Sequence, residues 1–251
     1  MPGGRYDGHT HTNFSDGRNT VVENVRAAEA CGLECVAITD HFLEEGEWFP
    51  RMVAAARLAN EKSEVRVLAG VEAAILNLEG AISLPEGCAR ELELVLADVG
   101  ARTQGLGVQA PSTKARMADN LVSCLVNVCH NPLVQVIAHP FCLGRLPQSL
   151  YPSDIPRTSL LKIAEAMRET GTAFEVMNQA YWWFPGAPLA KITRDYAELV
   201  RLFAAEGLRF TLGSDAHSAG AVGNLAWAVR VLQLAGVPGG QVVNLAKMAQ
   251  R

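Results

Sequence analysis

The chain has no excess of positive charge: 22 Lys and Arg stand against 26 Asp and Glu in 251 residues, a formal charge of -4. Without a basic run it lacks the electrostatic footprint of a protein that grips duplex nucleic acid. No apolar stretch reaches the length of a bilayer span and no export leader is recognisable, so a soluble, cytoplasmic protein is expected, with no membrane partner. The six cysteines, Cys31, Cys35, Cys88, Cys124, Cys129 and Cys142, form no CxxC pair. That spacing argues against a disulfide scaffold or a thiolate metal site. Cys31, Cys124 and Cys129 fall within helical patterns and are expected as small buried hydrophobes, and Cys142 has no base beside it. No linker, internal repeat or low-complexity tract divides the sequence, which gives one domain over residues 1–251.

What is present is an alternation of two patterns. The runs CVAITD, VRVLAGVEA, LELVLADVG, VQVIAHP, TAFEVMNQ and LRFTLGSDAH are short, aliphatic and closed by a polar residue, as strands buried on both faces should be. Between them, TVVENVRAAEACG, FPRMVAAARLANEK, ARMADNLVSCLVNVC, SLLKIAEAMRETG, RDYAELVRLFAAEG and AVGNLAWAVRVLQLAG carry helical spacing. The first opens on Asn19 or Thr20 as N-cap and stops at Gly32. This alternation predicts a parallel α/β fold. A barrel is preferred to an open sheet, because the candidate site residues sit at the ends of many strands, and a closed barrel aims all of those ends at one axis. One irregularity is expected at residues 71 to 84, where VEAAILNLEGAISL reads as a hairpin turning at Glu79 and Gly80.

Five of the six histidines fall in short stretches that follow apolar runs: His9 and His11 in DGHTHTNFSDG, His41 in TDH, His139 in AHP and His217 in GSDAH. His9 and His11 are two apart on an extended chain and face the same side. Asp215 and His217 repeat that spacing. Asp40 and His41 are adjacent and point oppositely, so one is a ligand and the other a support; His41 is the expected ligand, with Asp40 orienting an imidazole. Glu72 in GVEA has two oxygens and can bridge two ions. A donor set of imidazoles and carboxylates suits Mn, Fe or Zn.

Taken together and in this order, the stretches resemble those of the polymerase and histidinol phosphatase (PHP) superfamily, along nearly the whole chain. The resemblance implies a distorted, TIM-like (β/α)7 barrel with two or three divalent ions at the C-terminal face of the strands. It places His9, His11, Glu72 and Asp215 at a first ion, with Glu72 bridging to a second that also holds His139. Asp16, His41 and His217 surround a third. There is one departure. Family members commonly carry a further histidine in the stretch VLADVGARTQG, as a ligand of the second ion; here there is none, and Arg102, Thr103 and Gln104 are the nearest polar candidates. His130 is the spare histidine and reads as a helix-capping or surface residue.

The chemistry implied is hydrolysis of a small phosphate monoester by a water that the ions acidify, with Glu72, Asp215 and His217 as catalytic residues. Arg145, Arg102 and Glu175 are the substrate-binding candidates, Lys191 a weaker one. The aromatic cluster Tyr181, Trp182, Trp183 and Phe184 either packs on the following helix or forms a pocket lip. The rival readings are a nuclease of the same family, a metal- or phosphate-binding module without catalysis, and an amidohydrolase. The last is disfavoured because no candidate strand end carries a bridging lysine.

Overall fold

The computed structural model describes residues 4–247. Strands and helices alternate as β1 (Tyr6–Asp7), α1 (Val21–Ala30), β2 (Cys35–Ile38), β3 (His41–Phe42), α2 (Trp48–Lys62), β4 (Arg66–Ala74), α3 (Glu86–Ala89), β5 (Leu94–Asp98), α4 (Lys114–Cys129), β6 (Val136–Ala138), α5 (Arg157–Thr170), β7 (Ala173–Met177), α6 (Leu189–Ala205), β8 (Phe210–Gly213) and α7 (Ala226–Ala235). Every pairing between these strands is parallel. The sheet runs β1-β2-β4-β5-β6-β7-β8, with β3 beside β4.

β2 and β3 act as a single stave. Cys35 pairs with Arg66 and His41 with Glu72, an offset of 31 positions in both cases, so the register is unbroken across the gap between them. Seven staves result, and the ends meet. The Gly8 N–H donates to the Leu212 carbonyl at 2.9 Å, and those of His11 and Asp215 donate to Ala216 and His9 at 2.8 and 3.0 Å. Buried Asp7 reinforces this seam by accepting from the N–H groups of Ser214 and Gly223, each at 2.8 Å. The architecture is the distorted (β/α)7 barrel that the resemblance implies.

Parallel register decides which side chains fill the barrel. Residues paired across strands point the same way, so Tyr6, Cys35, Leu68, Leu94, Leu96, Val136 and Ala173 share the interior with Glu72 and Glu175. The alternate residues Val36, Ile38, Val67, Ala69 and Val95 face outward into an apolar layer with α1 and α2. Fully burying each large aliphatic contributes about 1.5–3 kcal/mol. The interior is therefore apolar through its depth, with a charged upper layer.

α1 is started by a capping box, in which the Thr20 hydroxyl accepts from the Glu23 N–H and the Glu23 carboxylate accepts from that of Thr20. The irregularity after β4 is a tight excursion closed by an antiparallel bridge between Ile75 and Ile82. Two details differ from the sequence reading. α7 begins at Ala226, because residues 219–221 form a separate 3-10 turn; and the four-residue α3 has too short a period to be recognised. Cys31 caps α1 on the surface and is exposed, a correction to its expected burial; the other five cysteines are buried and all six are unpaired. Among the described residues no helix is long and apolar enough to cross a membrane.

Candidate metal centre

At the C-terminal end of the staves five imidazoles and five carboxylates converge. His9 and His11 continue from β1, His41 opens β3 directly opposite Glu72 in β4, and Asp215 and His217 follow β8. His139 follows β6, where Ala138 already points inward with Asp98. Simple alternation would turn His139 outward, but its φ of 31° breaks the alternation and brings the ring inside. Asp215, with φ 56°, is likewise left-handed. Non-glycine residues held in this conformation each cost on the order of 1–3 kcal/mol, and such strain gathers at functional sites.

Glu72 lies at the centre and is 1% exposed. Its Oε1 is 2.9 Å from His139 Nε2. Its Oε2 is 2.9 Å from His41 Nδ1, 3.4 Å from His9 Nε2 and 3.5 Å from His11 Nε2, yet accepts no hydrogen bond of acceptable geometry from a described residue. His9 Nε2 and His11 Nε2 face each other at 3.0 Å, and Asp215 Oδ1 is 3.1 Å from the second and 3.7 Å from the first. Two imidazole nitrogens and two carboxylate oxygens directed at one another are a donor set suited to a cation. Two ligand atoms on one tetrahedral ion, each about 2.0–2.2 Å from it, stand about 3.4 Å apart. The separations of the two imidazoles from each other and of Glu72 and Asp215 from them lie near that spacing, so the donor set fits a divalent ion.

Two further groupings adjoin this one. His9, Glu72 and His139 converge on one side; on the other, His11, Asp16, His41 and His217 bring their ligand atoms within 4.8 Å of one another. Asp16 Oδ1 is 3.3 Å from His217 Nε2 and its Oδ2 is 3.7 Å from His41 Nε2. His11 Nδ1 is buried without a hydrogen-bond partner and points toward Asp16 at 3.9 Å. All eight residues expected as ligands thus come together. His130 does not join them: it caps α4, with Nδ1 2.9 Å from the Val126 carbonyl.

Two carboxylates depart from their expected parts. Asp40 meets no imidazole; it accepts from Thr12 N–H and Oγ1 at 2.8 and 2.7 Å and from Ser15 N–H and Oγ at 3.1 and 2.6 Å, pinning the loop that carries Asp16. Glu175, expected to bind substrate, is 1% exposed. Its Oε1 is 2.8 Å from His9 Nδ1, and its Oε2 accepts the His139 N–H at 2.9 Å. It is therefore the carboxylate that orients an imidazole. The space it needs exists because residue 213 is glycine, where a Cβ would sit 2.1 Å from Glu175 Oε1 and 2.5 Å from His9 Cβ.

Charge is heavily coupled here. Burial opposes protonation of His9, but Glu175, Glu72 and Asp215 outweigh it and hold its pKa well above the ordinary value. The same contest, decided chiefly by Glu72, raises His41 to about 9 and His139 to about 10. His11 goes the other way: burial and the neighbouring charge of His9 depress it despite Asp215 and Glu72. Burial would raise Glu72 and Asp215, yet the surrounding imidazoles push both below the usual carboxylate range. An opposite charge within a few ångströms favours the charged form, and in a buried layer it does so strongly.

The residue that sequence reasoning missed is Asp98, last in β5. Its Oδ1 lies 3.6 Å from His139 Nδ1. Burial, with the charges of Glu72 and Asp215, raises its pKa to about 6 in spite of His139 and His41. The resemblance points past it to Arg102, Thr103 and Gln104, although the strand-ending Asp in LVLAD is the available signal. Arg102 does line the cleft, whereas Thr103 is buried in the turn that follows β5.

The charged layer opens into a cleft of about 570 Å³ lined by Phe14, Trp48, Arg102, Arg145 and Trp183 beside Asp16, His41 and Asp98. The Arg145 guanidinium lies 5.4 Å over the Trp183 ring and donates to the Trp182 carbonyl at 3.0 Å. Trp183 in turn stacks on His139 at 6.0 Å and 25°. The aromatic cluster therefore divides: Trp183 lines the cleft, Trp182 is 58% exposed, Phe184 is buried, and Tyr181 packs edge-on to Trp227. Lys191 pairs with Asp195 on α6 and does not line the cleft. A cavity of about 480 Å³, lined by Leu94, His130, Arg209 and Thr211 among others, has no carboxylate and no second imidazole in its wall.

A family model described as PHP domain matches residues 7–179. A protein of Thermoanaerobacter sp. (strain X514) named "Probable phosphatase" is 30% identical over 250 residues, covering 95% of this chain and 89% of its own length. One of the same description from Caldanaerobacter subterraneus subsp. tengcongensis is 31% identical over 245 residues, covering 95% and 86%. Among solved structures, the histidinol phosphate phosphatase of Lactococcus lactis, crystallised with zinc, L-histidinol and phosphate, aligns with a TM-score of 0.70 and 17% identity, covering 98% of this chain and 99% of that one. At that identity the likeness is one of fold.

Proposed function

Because this chain belongs to the PHP domain family, we propose that it is a metal-dependent phosphoesterase that hydrolyses a small phosphate monoester of the histidinol phosphate type. The observation that carries this reading is Glu72, enclosed by four imidazoles at 2.9 to 3.5 Å with one oxygen lacking a hydrogen bond. Curated relatives described as phosphatases support the reaction class.

His9, His11, Glu72 and Asp215 would hold one divalent ion, Glu72 and His139 a second, and Asp16, His41 and His217 a third; Mn, Fe and Zn all suit these donors. Such ions supply positive charge that screens an anionic phosphate and lowers the pKa of a water. The chain's own part is positioning. Glu175 holds His9 by Nδ1, which leaves Nε2 directed at Glu72 and Asp215. Asp215 turns Oδ1 to His11 and His217, at 3.1 and 3.7 Å, and His217 at the rim would exchange the proton with solvent. Arg102 and Arg145 offer planar donors for phosphate oxygens, and Trp183 covers one wall against water. The aromatic sides of the cleft, contributed by Phe14, Trp48 and Trp183, favour a compact ester carrying a ring.

A panel of monoesters and diesters tests the class. Turnover of histidinol phosphate or another small monoester should exceed that of bis-p-nitrophenyl phosphate and of single-stranded oligonucleotides; a preference for oligonucleotides would instead favour a nuclease.

A further inference from the structure

We propose that the N-terminal mouth of the barrel is a second binding site, for a small monocarboxylate with a compact apolar body and a hydrogen-bonding oxygen at its far end. It lies at the opposite end of the strands from the ion layer and needs no metal.

The cavity of about 480 Å³ opens there, a size within the range of small-molecule sites, about 300–1,000 Å³. Its wall takes in Leu94 and Val136, where β5 and β6 begin, and Ala173, where β7 begins; Val243 and Leu245, from the chain after α7, complete it. Thr211 of β8 also lines it. Thr211 pairs with Glu175 and shares its inward parity, two residues farther into the barrel than Ala173. The residue is 3% exposed, and its Oγ1 has no hydrogen-bond partner among the described residues. Buried hydroxyls are normally paired. The neighbouring polar groups of the wall are already engaged: Gln135 accepts the Val95 N–H at 2.7 Å and donates to the Glu93 carbonyl at 3.0 Å, and the Thr170 and Thr172 hydroxyls are 2.9 Å apart. Thr211 is thus left to meet a polar atom that an occupant brings.

The sign of the occupant follows from Arg209. Among the described residues it is the one Lys or Arg that lines the cavity, and no Asp or Glu does. Its guanidinium donates to the carbonyl of Gly171, the left-handed residue that closes α5. A guanidinium has five N–H donors, so others remain for a carboxylate. One permanent positive charge balances one negative charge, which favours a carboxylate over a phosphate dianion. Arg209 and Thr211 are two residues apart on one strand face, about 6.6 Å along the backbone. A ring or short aliphatic chain would therefore separate the two polar ends of the ligand and pack against Leu94, Val136 and Val243.

The test is isothermal titration calorimetry on the full chain stripped of metal, with 4-hydroxybenzoate and benzoate, which differ by the oxygen that would meet Thr211. One site per chain is expected, with 4-hydroxybenzoate bound about fivefold more tightly. Thr211→Val, nearly isosteric, should erase that difference. Arg209→Gln should weaken both probes about tenfold, whereas Arg145→Gln, in the upper cleft, should change neither. No saturation by either probe at millimolar concentration overturns the site, as does a preference that survives Thr211→Val. Binding lost in Arg145→Gln and kept in Arg209→Gln puts the carboxylate in the upper cleft and overturns it too. If Thr211→Val loses its melting transition, the two arginine variants decide. A crystal soaked in 4-hydroxybenzoate that shows only water at Thr211 Oγ1 also overturns the assignment.

Discussion

Glu175 and His9 are joined by a contact of 2.8 Å between Oε1 and Nδ1, while the other oxygen of the same carboxylate accepts the backbone N–H of His139 at 2.9 Å. One buried side chain thus sets the ring of one candidate ligand and the backbone of another. A carboxylate can accept on both oxygens; an amide accepts on one and donates on the other. Glu175→Gln must therefore leave either His9 or His139 facing a donor. Metal affinity should fall about 10–100-fold, the usual effect of losing a partner that orients a metal-bound imidazole. Metal titration followed by protein melting would read this, and unchanged affinity would show that Glu175 only fills space.

Trp183 and Trp182 are neighbours in sequence with different surroundings, one stacked on His139 in the cleft and the other 58% exposed. If Trp183 covers the substrate, Trp183→Ala should raise KM about fivefold, equivalent to roughly 1 kcal/mol of lost contact. The melting temperature should hold, and Trp182→Ala should change neither quantity. Steady-state kinetics on a ring-bearing monoester checks the pair, and equal effects of the two changes would argue against the lip.

The pH dependence follows from His41 and His139, raised to about 9 and about 10 by the carboxylates around them. Below those values the rings carry protons that an incoming ion must displace. Metal binding should therefore release protons at pH 7, and affinity should rise by about tenfold per pH unit for each proton displaced. Stability of the chain stripped of metal has the opposite slope. A histidine raised above its unfolded value stabilises fully below about 6.5, and that contribution is lost as pH rises through 9 to 10. Calorimetric titration in buffers of differing ionisation enthalpy measures the release; none would mean that the rings bind no ion.

Much of this is readable from the residues themselves. The strand ends are legible because each apolar run stops at a charged or polar residue, and His9, His11, Asp16, His41, Glu72, His139, Asp215 and His217 all meet where those runs end. What sequence alone cannot supply is parity. Whether Asp40 or Glu175 faces an imidazole depends on how each strand is registered against its neighbours, and the two carboxylates carry no local sign of it. Asp98 is legible only as the polar close of its strand; that it faces His139 depends on the register of β5 against β6. The break between β2 and β3 was illegible for a further reason. Thr39 and Asp40 leave the ladder to bind the segment after β1, through the Thr39 hydroxyl to Thr10 and the Asp40 carboxylate to Thr12, and only tertiary structure reveals those partners.

The most direct measurement is p-nitrophenyl phosphate hydrolysis by the purified chain before chelation, after chelation, and after return of Mn, Fe or Zn, with elemental analysis at each step. At least two ions per chain, turnover abolished by chelation, and turnover restored by one of the metals are expected, all three failing together in Glu72→Ala. Undiminished turnover from a chain stripped of metal would contradict a reaction that depends on the ions gathered around Glu72.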